Sequence, residues 1–381
     1  MKSRTVLQKV IRPGLKVGIL GGGQLARMLA TEAHRLGYAP YIYSSAKTDP
    51  AALVTVNSMQ GALDSSAKLK AFLQTVDVAT FESEFLDAKL LKQLSSKTKT
   101  PIFPRPEAMD LIQDRLTQKR LLIESKIPTA DFIAIDSVRE LEFALEHFSE
   151  GFVLKARRFG YDGYGTFIVR TSGDRKKAAR FLQTSRFGFI AESLIKFQRE
   201  LALLAVRDQT GDIRFFPWVE TKQQNNQCHW VMGPLDIDES RFLQRQMANL
   251  LEDLNYIGAL AFEFFESKSG ILVNEMAPRV HNSGHYSLDA MVENQFSAHI
   301  KAVAGSVVGD LSLKDGIGGF AMVNLLGKSQ RAPSWKNINN ASLHWYGKAE
   351  NRPRRKMGHV TCVGRDQRNC LKLALKSSEE V

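Results

Sequence analysis

Residues 259–285 read ALAFEFFESKSGILVNEMAPRVHNSGH. Two apolar, aromatic-rich runs, Ala259 to Glu266 and Ile271 to Glu275, flank Ser267-Lys268-Ser269-Gly270, where the glycine suits a turn position with φ > 0. This pattern predicts a strand–turn–strand hairpin. If Ser267 faces Ile271 across a three-residue loop, stepping back along the ladder sets Glu263 opposite Glu275. Two carboxylates facing each other across strands repel. A divalent cation resolves the repulsion, and Mg²⁺ carried by a nucleotide takes one or two carboxylates plus phosphate oxygens. Phe262, Phe264, Phe265, Leu272 and Val273 make the hairpin apolar, which argues against a merely solvated edge.

Working outward, Arg279, His281, Asn282, Ser283 and His285 follow Glu275 within one short loop. A loop so dense in donors suits an anionic, hydroxylated ligand, because arginine binds a phosphate bidentately while amide and hydroxyl groups add hydrogen bonds. Zinc is the competing reading. His281 and His285 are spaced as helical ligands, yet Asn282-Ser283-Gly284 is poor helix sequence and a third ligand is not evident.

Two glycine-rich turns lie further upstream. Phe152 to Lys155 reads as a strand running into Ala156-Arg157-Arg158-Phe159-Gly160-Tyr161-Asp162-Gly163-Tyr164-Gly165. Gly160, Gly163 and Gly165 make a loop whose amides can surround a polyphosphate, and Lys155 at the strand end can reach a phosphate as a point charge. With Phe167-Ile168-Val169 continuing beyond, it reads as a phosphate flap rather than a Walker loop, against the plain alternative of a hairpin tip. The second turn, Gly21-Gly22-Gly23, joins the strand Lys16 to Leu20 to a helix from Gln24. Taken alone it suggests a dinucleotide site, whose helix N-terminus would stabilise phosphate. The acidic ribose partner expected after the second strand is missing from Tyr41-Ile42-Tyr43-Ser44-Ser45.

The chain has 381 residues, 44% hydrophobic and 24% charged, enough for several cores. The first hundred or so residues, with further strands at Ala39 to Tyr43 and Val76 to Phe81, predict an α/β unit on a parallel sheet. Pro101, Pro104 and Pro106 mark an expected linker, followed by helices at Arg115 to Ser125 and Val138 to His147. Further strands are expected at Asp131 to Ile135, Phe189 to Glu192, Glu200 to Arg207 and Ile213 to Val219, and a helix at Arg241 to Leu254. Strands at Ala321 to Leu326 and Ser342 to Tyr346 belong to a small terminal unit. The division expected is 1–110, 111–315 with a flap subdomain at about 130–195, and 316–381. The formal charge of +12, from 52 basic and 40 acidic residues, favours anionic partners, either nucleic acid or phosphorylated metabolites. The phenylalanines of the hairpin sit in apolar sequence, so a base-stacking platform is not visible and nucleic acid is not expected. Neither a run of eighteen apolar residues nor a secretory leader is present, so neither membrane insertion nor export is expected. Cys228, Cys362 and Cys370 make no CxxC pair, which fits a reducing cytoplasm.

Gly21-Gly22-Gly23-Gln24-Leu25, Asp114 to Lys119, Gly160-Tyr161-Asp162-Gly163, Asn274 to His285 and Arg355 to His359 together resemble the 5-(carboxyamino)imidazole ribonucleotide synthase family of the ATP-grasp superfamily, in the family's order over nearly the whole chain. The resemblance implies an α/β ATP-grasp fold with an N-terminal Rossmann-like (pre-ATP-grasp) domain and a small C-terminal β-rich domain. It implies carboxylation of aminoimidazole ribonucleotide with ATP and bicarbonate through carboxyphosphate, and commonly a homodimer. On this resemblance Arg115, Lys155, Gly160, Tyr161, Asp162, Gly163, Gly165, Glu192, Ile195, Glu200, Gln223 and Asn274 line the nucleotide site, and Glu263 and Glu275 hold Mg²⁺. Gly23, Gln24, Tyr161, Asp162, Arg279, His281, Asn282, Ser283, Lys348 and Arg355 contact the ribonucleotide, with Asp162, His281 and Arg279 closest to the chemistry. The amine proton falls to His281 or Asp162. Phe159 stands where the family has glycine, Tyr164 where it has a flap cation, Gln223 where it has histidine and Arg354 where it has glycine. Another ATP-grasp carboxylate–amine ligase with a different acceptor is the alternative.

Overall fold

The computed structural model describes residues 13–158, 160, 165–182, 187–328 and 341–380. The N-terminal unit consists of β1 (Lys16–Leu20), α1 (Gln24–Arg35), β2 (Ala39–Ser44), β3 (Ser58–Gln60), α2 (Ser66–Leu73), β4 (Val78–Phe81) and α3 (Ala88–Thr98). Its sheet is parallel throughout, in the order β3-β2-β1-β4. β4 is buried at every position and β1 at all but its first, as expected of parallel strands covered on both faces.

The proline-rich stretch expected to be a linker is folded. Pro106 is the first residue of α4 (Pro106–Gln113), a position where its missing N–H removes no helical hydrogen bond. Asp114 closes α4 and caps α5 (Arg115–Glu124) by accepting from the Leu116 N–H.

A small antiparallel sheet follows, built from β5 (Phe132–Ile135), β6 (Phe152–Ala156), β7 (Thr166–Val169) and β8 (Phe189–Ser193) in the order β5-β8-β6-β7, with α6 (Val138–His147) and α7 (Ser172–Leu182). α6 spans the residues its sequence predicts because Ser137 and Glu140 form a reciprocal capping box.

The largest sheet has nine strands: β9 (Phe197–Arg207), β10 (Ile213–Phe215), β11 (Trp218–Gln224), β12 (Gln227–Leu235), β13 (Gly258–Ser267), β14 (Gly270–Ala277), β15 (Gly319–Leu326), β16 (Ser342–Trp345) and β17 (Lys356–Gly364). The run Ile213 to Val219, expected as one strand, breaks at Phe216-Pro217, and proline cannot donate to a ladder. β15 pairs with β12, so the C-terminal strands extend the central sheet instead of forming a separate one. α8 (Ser240–Asp253), α9 (Ser287–Ala290), α10 (Gln295–Ala304) and α11 (Gln367–Glu379) complete the chain.

α10 lies in the core shared by α1 and the central sheet. On it, His299 is fully buried and joins the two sheets: Nδ1 accepts from the Ala259 N–H at 3.0 Å, which leaves Nε2–H to donate to Thr80 Oγ1 at 2.7 Å. Burial lowers its pKa to about 3, so the ring is neutral. This joint holds the C-terminal end of β4 beside β13, where the site is built.

Candidate active site

Glu263 and Glu275 are paired across β13 and β14, but the path to that pairing differs from the expected one. Ser267 faces Gly270 over a two-residue turn, Lys268-Ser269, which on a regular ladder would leave the glutamates out of register. A bulge places Asn274 as an extra residue between Val273, opposite Phe264, and Glu275, opposite Glu263, and so restores the pairing. Asn274 Oδ1 then accepts from Lys155 Nζ at 3.0 Å.

Burial, then the charges of Glu275 and Glu200, push the Glu263 pKa up to about 7. Arg115 donates to both oxygens of Glu275, at 3.1 and 3.3 Å. His281 Nε2 lies 3.5 Å from Glu263 Oε1, while its Nδ1 accepts from the Ser283 N–H at 3.3 Å and contacts Ser283 Oγ at 2.9 Å. Burial, helped by Arg279 and Lys356, drives the His281 pKa well below its usual value, so the ring is neutral with its proton on Nε2. Two converging carboxylates, one of them destabilised as an anion, fit a hard divalent cation. Among the described residues no group of three or more His, Cys, Asp or Glu is placed to hold a metal. The zinc alternative loses His285, which is wholly buried with Nδ1 held by Gln295 Nε2.

The nucleotide-side residues converge from several elements of both antiparallel sheets and from α5. Lys155 on β6 donates to Glu192 Oε2 on β8 at 3.0 Å as well as to Asn274. Burial would raise the Glu192 pKa, but Lys155 and Lys119 outweigh it and keep the carboxyl below its usual range. Arg115, besides meeting Glu275, donates to the carbonyls of Ala156 at 3.1 Å and Gly160 at 3.4 Å, tying α5 to the root of the flap. Arg157 grips Asp114 with two bonds of 3.0 and 2.7 Å, and Arg158 reaches Asp110 at 2.8 Å and Gln113 at 3.1 Å. Ile195 lies in the loop between β8 and β9 and is half-buried. Glu200 accepts from the Gln223 N–H at 3.3 Å, and burial raises its pKa. Gly165, at φ +76°, turns the chain into β7. Phe159, Tyr161, Asp162, Gly163 and Tyr164 lie outside the described residues.

Two of the expected acceptor residues, Gly23 and Arg279, meet glutamates that the sequence does not single out. Glu84 binds the Arg279 guanidinium through both Nε and NH2, the latter at 2.9 Å. Burial alone would raise the Glu84 pKa, and Arg279 overrides it. Glu82 accepts from the amides of Gly23 at 2.5 Å and Ala26 at 2.9 Å. The glycine turn at the start of α1 therefore cradles a protein carboxylate, and a Cβ on Gly21 or Gly23 would collide with it. The Gly23 and Ala26 amides, expected to face a phosphate, are thus partnered within the protein. Burial raises the Glu82 pKa, opposed by the two amides and then by Arg279 and Lys348. Gln24, the first residue of α1, follows directly.

Asn282 and Asn324 exchange side-chain hydrogen bonds of 2.9 and 2.7 Å, which fixes the loop carrying buried Ser283. Lys348 lies over the Tyr346 ring, 5.7 Å from its centroid. Arg355 donates to Glu350 O at 2.9 Å in an exposed loop. Its neighbour Arg354 holds φ at +65°, a conformation glycine adopts without cost, and its guanidinium reaches Asn225 O at 3.0 Å. A pocket lined by Glu84, Gln113, Arg115, Gly160, Glu275 and Pro278 connects the two halves. Glu82 and Glu84 had a signal in the sequence: they follow β4 directly, and ligands of open parallel sheets collect at the carboxyl ends of strands.

Comparison with known proteins identifies the class first. An ATP-grasp domain profile matches residues 120–296, a ribonucleotide synthetase preATP-grasp domain profile 15–113, and a phosphoribosylaminoimidazole carboxylase C-terminal domain profile 321–373. The chain is thus an ATP-grasp protein with both accessory domains. The N5-carboxyaminoimidazole ribonucleotide synthase of Synechococcus elongatus is 37% identical over 362 residues, covering 92% of this chain and 90% of its own length. The Staphylococcus aureus N5-carboxyaminoimidazole synthetase complexed with ADP superposes with a TM-score of 0.87 at 31% identity, covering 96% of this chain and 97% of that one. The Aspergillus clavatus synthase in complex with ADP and 5-aminoimidazole ribonucleotide gives 0.86 at 27% identity, covering 97% and 100%. The chain belongs to the N5-carboxyaminoimidazole ribonucleotide synthase family.

Proposed function

We propose that this protein carboxylates 5-aminoimidazole ribonucleotide with ATP and bicarbonate, yielding N5-carboxyaminoimidazole ribonucleotide, ADP and phosphate in purine biosynthesis. The observation that carries this reading is the registered Glu263–Glu275 pair standing between the Lys155–Glu192–Asn274 cluster and the Arg279–Ser283 loop. Lys155, Arg115, Glu192 to Ile195, Glu200, Gln223 and Asn274 bind ATP. Glu263 and Glu275 would hold Mg²⁺, which supplies neutralising charge at the phosphate oxygens. Gly23, Gln24, Arg279, Asn282, Ser283, Lys348 and Arg355 bind the ribonucleotide. On the family resemblance, Tyr161, Asp162 and Gly163 contribute to the nucleotide site, and Tyr161 and Asp162 to the ribonucleotide site as well.

In this reading bicarbonate attacks the γ-phosphate to give carboxyphosphate and ADP. Cationic groups, Lys155 and Arg115 foremost, stabilise the spreading negative charge. The exocyclic amine of the ribonucleotide then attacks carboxyphosphate or the CO₂ released from it. Flap closure excludes the water that would destroy the intermediate. The amine proton falls to His281 or Asp162, and because Nδ1 of His281 accepts from the Ser283 N–H, its Nε2 is the ring nitrogen left for the site. The domain division 1–110, 111–315 and 316–381 is part of the same proposal, as are a homodimer and a cytoplasmic location. Three free buried cysteines support that location. ADP formation measured with and without the ribonucleotide and bicarbonate, together with the ratio of carboxylated product to ADP, tests the reading. ADP formation independent of both would count against it.

A further inference from the structure

Lys119 lies on α5, one turn beyond Arg115, with its side chain 1% exposed. Its ammonium donates to Thr129 Oγ1 at 2.7 Å and sits 3.4 Å from Val273 O and 3.2 Å from Glu192 Oε2. Those three oxygens match the three N–H donors of an ammonium. They belong to the entry to the small sheet, to β14 and to β8, so Lys119 bridges the seam between the two sheets that enclose the nucleotide cleft. Glu192 Oε2 is also the oxygen that Lys155 holds at 3.0 Å, while Glu192 Oε1 is buried with no hydrogen-bond partner among the described residues. Two ammonium groups thus share one oxygen of one carboxylate. One lysine would suffice to balance Glu192, and burying a second cation is costly, so the surplus calls for a reason.

We propose that Lys119 is the standing counter-ion of Glu192, a positioning residue that keeps this carboxylate ionised and fixed so that Lys155 can leave it for the nucleotide phosphates. The inference rests on the nucleotide-binding role proposed above for Lys155. Without Lys119, Lys155 would be the sole partner of a buried carboxylate, and turning toward phosphate would strand that charge. With Lys119 in place, Glu192 is paired both before and after Lys155 moves. Burial lowers the Lys119 pKa to about 8, and the charge of Glu192 is the largest influence opposing that fall; Lys155 lowers it further and Glu275 raises it.

The test is a double-mutant cycle read by calorimetric titration of Mg·ADP into wild type, Lys119→Met, Glu192→Gln and the double variant, with Lys155→Met as a control. Lys119→Met is expected to weaken ADP binding about tenfold in the wild-type background and less than about twofold when Glu192 is already glutamine. Equal losses in the two backgrounds would show that Lys119 acts only as packing and would overturn the proposal. If Lys119→Met is too unstable to titrate, the double variant still decides, since it leaves no buried carboxylate without a partner. It should bind ADP as Glu192→Gln does, and a tenfold deficit against that variant overturns the proposal. The control separates the two layers: unchanged ADP affinity in Lys155→Met would remove Lys155 from the nucleotide site and the counter-ion role with it.

Discussion

Replacing Glu263 by glutamine is expected to make the ligand-free protein more stable. The carboxylate is held between burial, Glu275 and Glu200, which together raise its pKa from 4.5 to about 7. Because the folded value lies above the unfolded one, the stability this group contributes is fully present below pH 4.5 and is lost as the pH rises through 7. The gap sets a ceiling of ~3 kcal/mol at pH 8, and since the side chain is 33% exposed, solvent screening reduces this to ~1–2 kcal/mol. His281 is neutral, so the exchange strands no cation. Thermal melts of the ligand-free proteins should show Glu263→Gln ~1–3 °C above wild type at pH 8, with the two converging near pH 4.5. Mg·ADP should then stabilise wild type more than the variant. A variant that melts below wild type at pH 8 without ligand would refute the claim that this carboxylate is strained in its site.

Glu275→Gln should nearly abolish ADP formation while the circular dichroism spectrum is unchanged; undiminished turnover at saturating Mg²⁺ would remove the metal assignment. Arg279→Ala should raise the ribonucleotide KM well above any change in the ATP KM, and should also destabilise the fold by ~2–4 kcal/mol because Glu84 loses its guanidinium. Adding Glu84→Gln to that variant should recover most of the stability but not the KM, and recovery of both in steady-state assays would contradict a binding role for Arg279. Acid should weaken the protein through buried histidines whose folded pKa values lie below 6.5, since their stability is present above 6.5 and is lost as the pH falls. His299 alone, with its pKa at about 3, should cost ~1.5–2 kcal/mol between pH 6.5 and 5. Equal urea midpoints at those two pH values in the Glu263→Gln variant, where the opposing Glu263 titration is gone, would exclude this.

The residues that face one another along the chain were legible from pattern alone. β1, α1 and the β13–β14 hairpin follow from apolar periodicity and glycine placement, and the family motifs run through them in order. Turn geometry was less legible: the two-residue turn at Lys268-Ser269 and the bulge at Asn274 compensate, so the pairing of Glu263 with Glu275 came out by a different path. α4 is not legible because a proline break and a proline helix start look alike until the backbone hydrogen bonds are known. β12 and β17 are not legible either, since short apolar runs do not distinguish strand from helix.

By itself, the sequence determined the local elements, the carboxylate hairpin and the family, because each depends on residues near in sequence or on a motif order carried by the whole chain. Only the tertiary structure decided that Glu82 fills the cradle at the start of α1, that Glu84 grips Arg279 across 195 residues of chain and that Lys119 reaches Glu192. Such pairings join charges on separate elements. Their choice of partner is made when burial removes water and each buried charge must find compensation nearby, a condition set by packing and not by any local pattern.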